Sequence, residues 1–284
     1  MGAGVYAPRV RPAKVELATG DSFVANGSPQ VNDWLIKPQY LPDWLDQVQQ
    51  DKPYGWFRLN ETVTLNATAI DNGSAASNGT YKYITGVTSR QTGIVDYNNN
   101  TALTLNGTAT TYIELDSTVF GTNMSANNAF SAEMVFKITA NGTSEKATAG
   151  RQQADATGWG LYVTVSSDNF LVATGWIGNI FVTGIDASTG IGWNSTRWYH
   201  VAFTCDSVIS RMYINGIETN SVLIGGQPYT IPQTVGGYAG LISSFNAGYD
   251  KSRSAQIDEI ILYRSALPAA RVYAHACASG VRTQ

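Results

Sequence analysis

The sequence predicts an all-β fold, and three observations carry that expectation. Runs rich in β-branched and aromatic residues recur along the chain, separated by short clusters of Gly, Asn, Ser and Thr of the kind that turn between strands. Apolar and polar residues alternate cleanly in "TTYIELD" at 110–116, "FSAEMVFKIT" at 130–139, "GWGLYVTVSS" at 158–167 and "NFLVATGW" at 169–176. Finally, Asn215-Gly216 is a strong two-residue hairpin signal between apolar runs.

Taken in order, residues 1 to about 40 show no sustained period and contain Pro8, Pro12, Pro29 and Pro38, which predicts an extended arm. Its densest apolar cluster is Trp34, Leu35, Ile36 and Tyr40. An arm with no core of its own must recover its ordering entropy from contacts elsewhere, so these four are the expected assembly anchors. The alternative is that the arm packs back on its own domain. In "YLPDWLDQVQQD", Leu41, Trp44, Leu45 and Val48 fall at i, i+3, i+4 and i+7 with Pro42 near the first turn, which predicts a short amphipathic helix. Strands follow from near Pro53. "RWYHVAFTCD" at 197–206 and "SRMYINGIET" at 210–219 lie about a hairpin apart, and "AQIDEIILYR" is the last strand. "SALPAARVYAHACASG" closes the chain as a helix, with Pro268 near its start and Gly280 just beyond its end.

Composition narrows the function. The 284 residues are 43% hydrophobic and 11% aromatic, enough to bury a core. Only 14% are charged and the net charge is -3, which supplies no basic surface for phosphates or anionic lipid. Neither nucleic acid nor membrane is an expected partner. The opening "MGAGVYAPRVRPAK" does not read as a secretory signal, and no window holds the roughly 18 apolar residues of a transmembrane helix. Synthesis in a cytoplasm is therefore expected, and triplets such as those at Asn26, Asn72, Asn106, Asn141 and Asn194 read as Asn-rich turns rather than glycosylation acceptors. Cys205 and Cys277 are too few for a disulfide framework and are expected as two buried thiols.

Three segments carry a resemblance. "DKPYGWFRLNE" at 51–61, followed by "DNGS" at 71–74, is similar to the opening aromatic strand and Asp-rich turn of the laminin G-like family. "RWYHVAFTCD" with "RMYINGIE" resembles that family's central hairpin, and "AQIDEIILYRSALPAARVYAHACASG" its closing strand and helix. The resemblance implies a concanavalin A-like, two-sheet antiparallel jelly-roll sandwich. It divides the chain into an arm at 1–50 that ends in the short helix and a jelly-roll domain with a C-terminal helix at 51–284. A helix entering the Tyr-x-Trp/Phe-Arg-Leu strand, together with an Arg-Val-x-Ala-His helix at the end, further resembles minor tail and accessory virion proteins of tailed bacteriophages. This implies a virion location, other virion proteins and copies of the chain as partners, and host cell-surface glycans as a ligand class. "AHACASG" departs from that subgroup, which often has an aromatic where Ala276 stands.

Candidate chemistry follows from the same family. Some relatives are glycoside hydrolases with Glu-x-Asp-x-Glu on one strand face. Here Glu114 and Asp116 are followed by Thr118, so the third carboxylate is missing and no catalytic residue is expected. His200 is expected as a hydrogen-bonded sheet residue, and nothing calls for acid–base work by it or by His275. The resemblance implies a structural calcium ion at Asp258, with Asp71 and Asn72 as the alternative holders; local capping or ion pairing by Asp258 is the competing reading. Trp159, Trp176, Tyr238 and Tyr249 lie in or beside Gly-rich segments, where rings could stack on sugars or fill the core. The expected function is that of a non-enzymatic virion protein with a lectin-like sandwich. A free carbohydrate-binding module and, behind it, a hydrolase are the alternatives.

Overall fold

The longest apolar runs form the middle of the structure because only a strand buried on both faces has room for them. The computed structural model describes residues 43–82, 84, 86–95, 100–106, 112–116, 118–122, 129–140, 147–152, 159–166, 168–177, 180–185, 193–224, 238–241 and 254–281. The expected anchors Trp34, Leu35, Ile36 and Tyr40 lie outside these residues, as does Tyr249. Helix α1 spans Trp44–Gln50 and α2 spans Ala269–Ala278. Between them run β1 (Gly55–Phe57), β2 (Thr68–Ala69), β3 (Gly79–Lys82), β4 (Val87–Thr92), β5 (Thr101–Asn106), β6 (Tyr112–Leu115), β7 (Phe130–Ile138) and β8 (Ala147–Gln152). Then come β9 (Trp159–Val165), β10 (Leu171–Ile177), β11 (Ile180–Ile185), β12 (Tyr199–Cys205), β13 (Ile209–Ile214), β14 (Ile217–Leu223), β15 (Tyr238–Leu241) and β16 (Ser254–Tyr263).

The strands make two antiparallel sheets, as expected for a jelly-roll sandwich. One is ordered β14-β13-β12-β7-β16-β5-β4, and the other β11-β10-β9-β8-β15-β6-β3-β2. In the first sheet β16 is shared along one edge: Ser254–Ile257 pair with β5, and Ile260–Leu262 pair with β1. Its other edge pairs with β7.

Strand parity explains the two cores. Phe130, Ala132, Met134, Phe136 and Ile138 of β7 point between the sheets, where they meet Tyr199, Val201, Phe203 and Cys205 of β12. Leu161, Val163 and Ala173 from the second sheet close that core. Val135, Ala202, Ile261 and Tyr263 point the other way and are covered by Trp44 and Val48 of α1 and Val272 and Ala276 of α2. Each fully buried aliphatic or aromatic side chain contributes about 1.5–3 kcal/mol. The first sheet is thus a middle layer, with the second sheet on one face and a pair of helices on the other.

A bulge keeps β16 in phase with both layers. Ile257 faces Phe136 and Glu259 faces Val135, so Asp258 is the extra residue. Without it Glu259 would share the inward parity of Ile257. With it, Ile260 and Leu262 enter the inter-sheet core and Glu259 turns outward.

The ends of the elements follow from local chemistry. Asp43 caps α1 by accepting from the Asp46 N–H at 2.9 Å. α2 stops where Gly280 takes φ +84, the left-handed step that glycine makes without a Cβ penalty. The Asn215-Gly216 turn has φ +51 and +79, the primed geometry that joins twisted strands. That turn sits directly under α2. Cys205 is buried as expected, but Cys277 is half-buried because α2 turns it toward the helix flank; both thiols are free. Among the described residues no helix is long and apolar enough to cross a membrane.

Candidate functional site

Charged groups gather where the helices cover the first sheet. Glu133 lies in the middle of β7, fully buried, on the face that carries Val135 toward the helices. A lone carboxylate could not remain ionised there. His275, fully buried on α2, brings Nδ1 to 2.8 Å from Glu133 Oε2 and Nε2 to 2.9 Å from Asp51 Oδ2. Arg271, one turn earlier, donates from Nε to Asp51 at 3.0 and 2.8 Å and from Nη2 to the Gln47 carbonyl at 3.0 Å. His200 of β12 places Nε2 3.5 Å from the other Glu133 oxygen. The rings of His200, His275 and Tyr263 surround the cluster, with Trp44 edge-on to both histidines at 6.2 and 5.8 Å.

Electrostatics favour the ionised forms of this cluster. Burial works against the charge of His275, but the Glu133 carboxylate and the Asp51 hydrogen bond outweigh it and raise the imidazole to about 9. Burial likewise opposes the charge of Glu133, yet His275 above all holds it down at about 2. Asp51 is desolvated but lowered by His275 and Arg271. With both ring nitrogens donating, His275 has no lone pair to accept a proton near neutral pH. The cluster is built to clamp α1 and α2 to the sheet.

Beside the clamp lies an open groove of about 530 Å³, lined by Asp51, Lys52, Tyr54, Ser74, Arg264 and Ser265. Its walls are tied by backbone bonds: Tyr54 N–H to the Leu262 carbonyl at 2.8 Å, Ser74 N–H to Pro53 at 2.9 Å and Ala75 N–H to Tyr54 at 2.8 Å. The Arg264 guanidinium lies over the Tyr54 ring at 5.1 Å.

The sequence-predicted residues fall in several places. Asp258, carried out by the bulge, accepts from the N–H groups of Ile94 and Val95 at 2.7 and 2.8 Å and from Asn100 at 2.6 Å. Burial raises it to about 6 in spite of those donors. Asp71 accepts from the N–H groups of Trp56, Gly73 and Ser77 at 2.8, 2.7 and 3.0 Å, while Asn72 donates to the Trp56 and Ile70 carbonyls. Both carboxylates therefore face N–H donors. A calcium ion takes six to eight oxygens, so one at either position would have to displace these bonds. Among the described residues no group of three His, Cys, Asp or Glu side chains is gathered to hold a metal.

Trp159 is 3% exposed in the inter-sheet core and donates Nε1 to the Phe120 carbonyl at 3.1 Å. This corrects its reading as a sugar platform, because alternation on β9 turns it inward with Leu161 and Val163. Trp176 pairs with Phe181 and Gly160 in the second sheet, and Tyr238 with Gln152; their side chains lie outside the described residues. Glu114 is 3.4 Å from Lys82, and Asp116 caps the turn at Thr118–Thr122 by accepting from the Thr118 and Val119 N–H groups. Sequence reasoning did not single out Glu133, Asp51, Arg271 or the groove. The signal for Glu133 was its place inside "FSAEMVFKI", since a charge in a doubly buried strand requires a partner.

A family model described as the concanavalin A-like lectin/glucanases superfamily, of laminin G type, matches residues 105–273, more than half of the chain. The chain belongs to that superfamily. This concanavalin A-like sandwich resembles the receptor binding domain of the botulinum neurotoxin C/D mosaic serotype at 14% identity and TM-score 0.52, over 80% of this chain and 51% of that one. It also resembles Trypanosoma rangeli sialidase in complex with 2,3-difluorosialic acid, at 12% identity and TM-score 0.50, over 78% and 32%. Domain 4 of a GH43 extracellular arabinanase from Geobacillus stearothermophilus, in complex with arabinotriose, aligns at 20% identity and TM-score 0.48 over 79% and 98%. The chain spans about a third of the sialidase and half of the neurotoxin domain, and at these identities the likeness is one of fold. No curated protein matches its sequence.

Proposed function

We propose that this lectin-like sandwich is a non-enzymatic component of a tailed-bacteriophage virion, a minor tail or accessory protein that joins other virion proteins and copies of itself and binds glycans of the host surface. Carbohydrate binding is the use that a lectin/glucanase scaffold suggests. One observation supports the virion role most directly. The two segments that resemble phage virion proteins, the helix entering the Tyr-Gly-Trp-Phe-Arg-Leu strand and the Arg-Val-Tyr-Ala-His helix, are α1 and α2, and Asp51, Arg271 and His275 clamp them together. The clamp ties α1, the helix in which the expected arm at 1–50 ends, to the sandwich. A non-catalytic role is supported by the carboxylates: Glu114 and Asp116 are occupied by Lys82 and by a turn, and Glu133 is sealed under the helices.

The test is peptide mass spectrometry and immunogold labelling of purified phage particles from a host carrying this gene. The chain is expected in intact particles, on the tail or at an accessory position. Its absence from particles that are otherwise complete would contradict the proposal.

A further inference from the structure

We infer that α1 is an exchangeable element: in a pair of copies, α1 of each chain seats on the first sheet and α2 of the other, so that the clamp closes between chains. This rests on the reading above that copies of the chain are partners, and it names the surface by which they join.

The joint between α1 and the sandwich is one residue long. Lys52 N–H bonds back to the Gln49 carbonyl at 3.1 Å, within the last turn of α1, while the Pro53 carbonyl already accepts from Ser74 N–H at 2.9 Å in the sandwich. Lys52 takes φ +51 at this joint. A residue with a Cβ is strained in that left-handed region, and a residue that precedes proline is driven toward extended backbone. Extending Lys52 relieves both constraints, and it carries α1 away from its own sheet. Short connections under strain favour exchange of the element they hold.

The contacts of α1 pass unchanged to a second copy. Trp44 and Val48 are buried in the outer core against side chains of the first sheet and α2, and Trp44 lies edge-on to the rings of His200 and His275 at 6.2 and 5.8 Å. Asp51 reaches Arg271 at 2.8 Å and His275 at 2.9 Å. Among the described residues no backbone bond joins α1 to a strand; the first is that of Tyr54 N–H to the Leu262 carbonyl, beyond the joint. A helix held by side chains and one carbonyl finds the same seat on a neighbour that it has on its own chain. Release is also eased from inside α1. Trp44 Nε1 and Gln47 Oε1 are buried without a hydrogen-bond partner, so lifting the helix returns two desolvated polar atoms to water.

The test uses the full chain with Leu45→p-benzoylphenylalanine, a photo-crosslinker on the half-buried flank of α1 that packs against the outer core. Unlabelled and heavy-nitrogen protein are refolded together from urea, sized by sedimentation over a range of concentrations, irradiated and digested. The peptides joined to α1 are then read by mass spectrometry. A dimer is expected, with cross-links that pair α1 of one label with α2 or the first sheet of the other. Lys52→Gly, which removes the left-handed strain while leaving every contact of α1 in place, is expected to raise the dimer dissociation constant roughly tenfold. A dimer whose cross-links all stay within one label would overturn the exchange and leave self-association standing. A Lys52→Gly chain that dimerises as tightly as the parent would overturn the strained joint as its cause. A chain that sediments as a monomer at every concentration would remove both this inference and the reading that copies of the chain are partners.

Discussion

At the residue scale, the central feature is an ion pair where none was anticipated. Glu133 and His275 are 142 residues apart in sequence and 2.8 Å apart in space. His275 is raised from 6.5 to about 9 in the fold, so its stabilising contribution is fully present below about 6.5 and is lost as pH rises through about 9. Glu133 is lowered from 4.5 to about 2, so its contribution is present above 4.5 and is lost as pH falls through about 2. The pair therefore contributes most between about 4.5 and 6.5. Glu133→Gln is expected to cost about 3 kcal/mol or more at pH 6, since it leaves a buried cation short of a partner. It should also flatten the decline in stability between pH 6.5 and 9; urea denaturation across that range checks both. Asp258 gives a second prediction. Its oxygens already accept three N–H bonds, so adding calcium or a chelator is expected to leave the unfolding midpoint unchanged, as read by calorimetry. Asp258→Ala is expected to cost about 1–3 kcal/mol by leaving buried donors unsatisfied.

At the scale of elements, the helices are more than flanking pieces. α1 was expected to end an arm at residue 50, yet its Trp44 and Val48 are 2% and 0% exposed and complete the outer core of the first sheet. Deleting residues 1–40 is expected to leave cooperative unfolding intact. Trp44→Ala is expected to cost about 3–5 kcal/mol by opening a cavity over His200 and His275. The Asn215-Gly216 hairpin is coupled to the same layer: a Cβ on Gly216 would stand 2.8 Å from Ala276 Cβ in addition to its φ of +79. Gly216→Ala is therefore expected to cost about 1–3 kcal/mol of stability, more than an ordinary turn substitution, and to lower the melting temperature accordingly. Much of this layer was legible in sequence. The i, i+3, i+4, i+7 pattern located α1, and Pro268 and Gly280 bracketed α2. The alternating apolar runs located β7, β9, β10, β12 and β16 to within a few residues. Strands such as β4, "VTSRQT", and β8, "ATAGRQ", carry too little apolar patterning to stand out, and they exist because a neighbour supplies their ladder. The site was less legible still. The bulge at Asp258 changes which residues face the core, and no local pattern announces that Asp51, His275 and Glu133 converge from three distant segments.

At the scale of the whole molecule, two stacked sheets and a helical layer make a scaffold whose titratable cluster is enclosed and whose open groove is polar. Most glycoside hydrolases set two carboxylates beside the scissile bond, one of them able to deliver a proton. Here Glu114 pairs with Lys82, Glu133 and Asp51 pair with His275, and Asp71, Asp116 and Asp258 accept from backbone N–H groups. The proposed function is that of a sandwich that holds glycans without cutting them. The measurement that tests this most directly is to incubate the full chain with a host-surface polysaccharide, following retention of the protein on the immobilised polymer and release of reducing ends into solution. Retention with reducing ends at the level of buffer is the predicted result. Reducing ends that accumulate with time and protein concentration, or a protein that washes through every polymer tried, would contradict it.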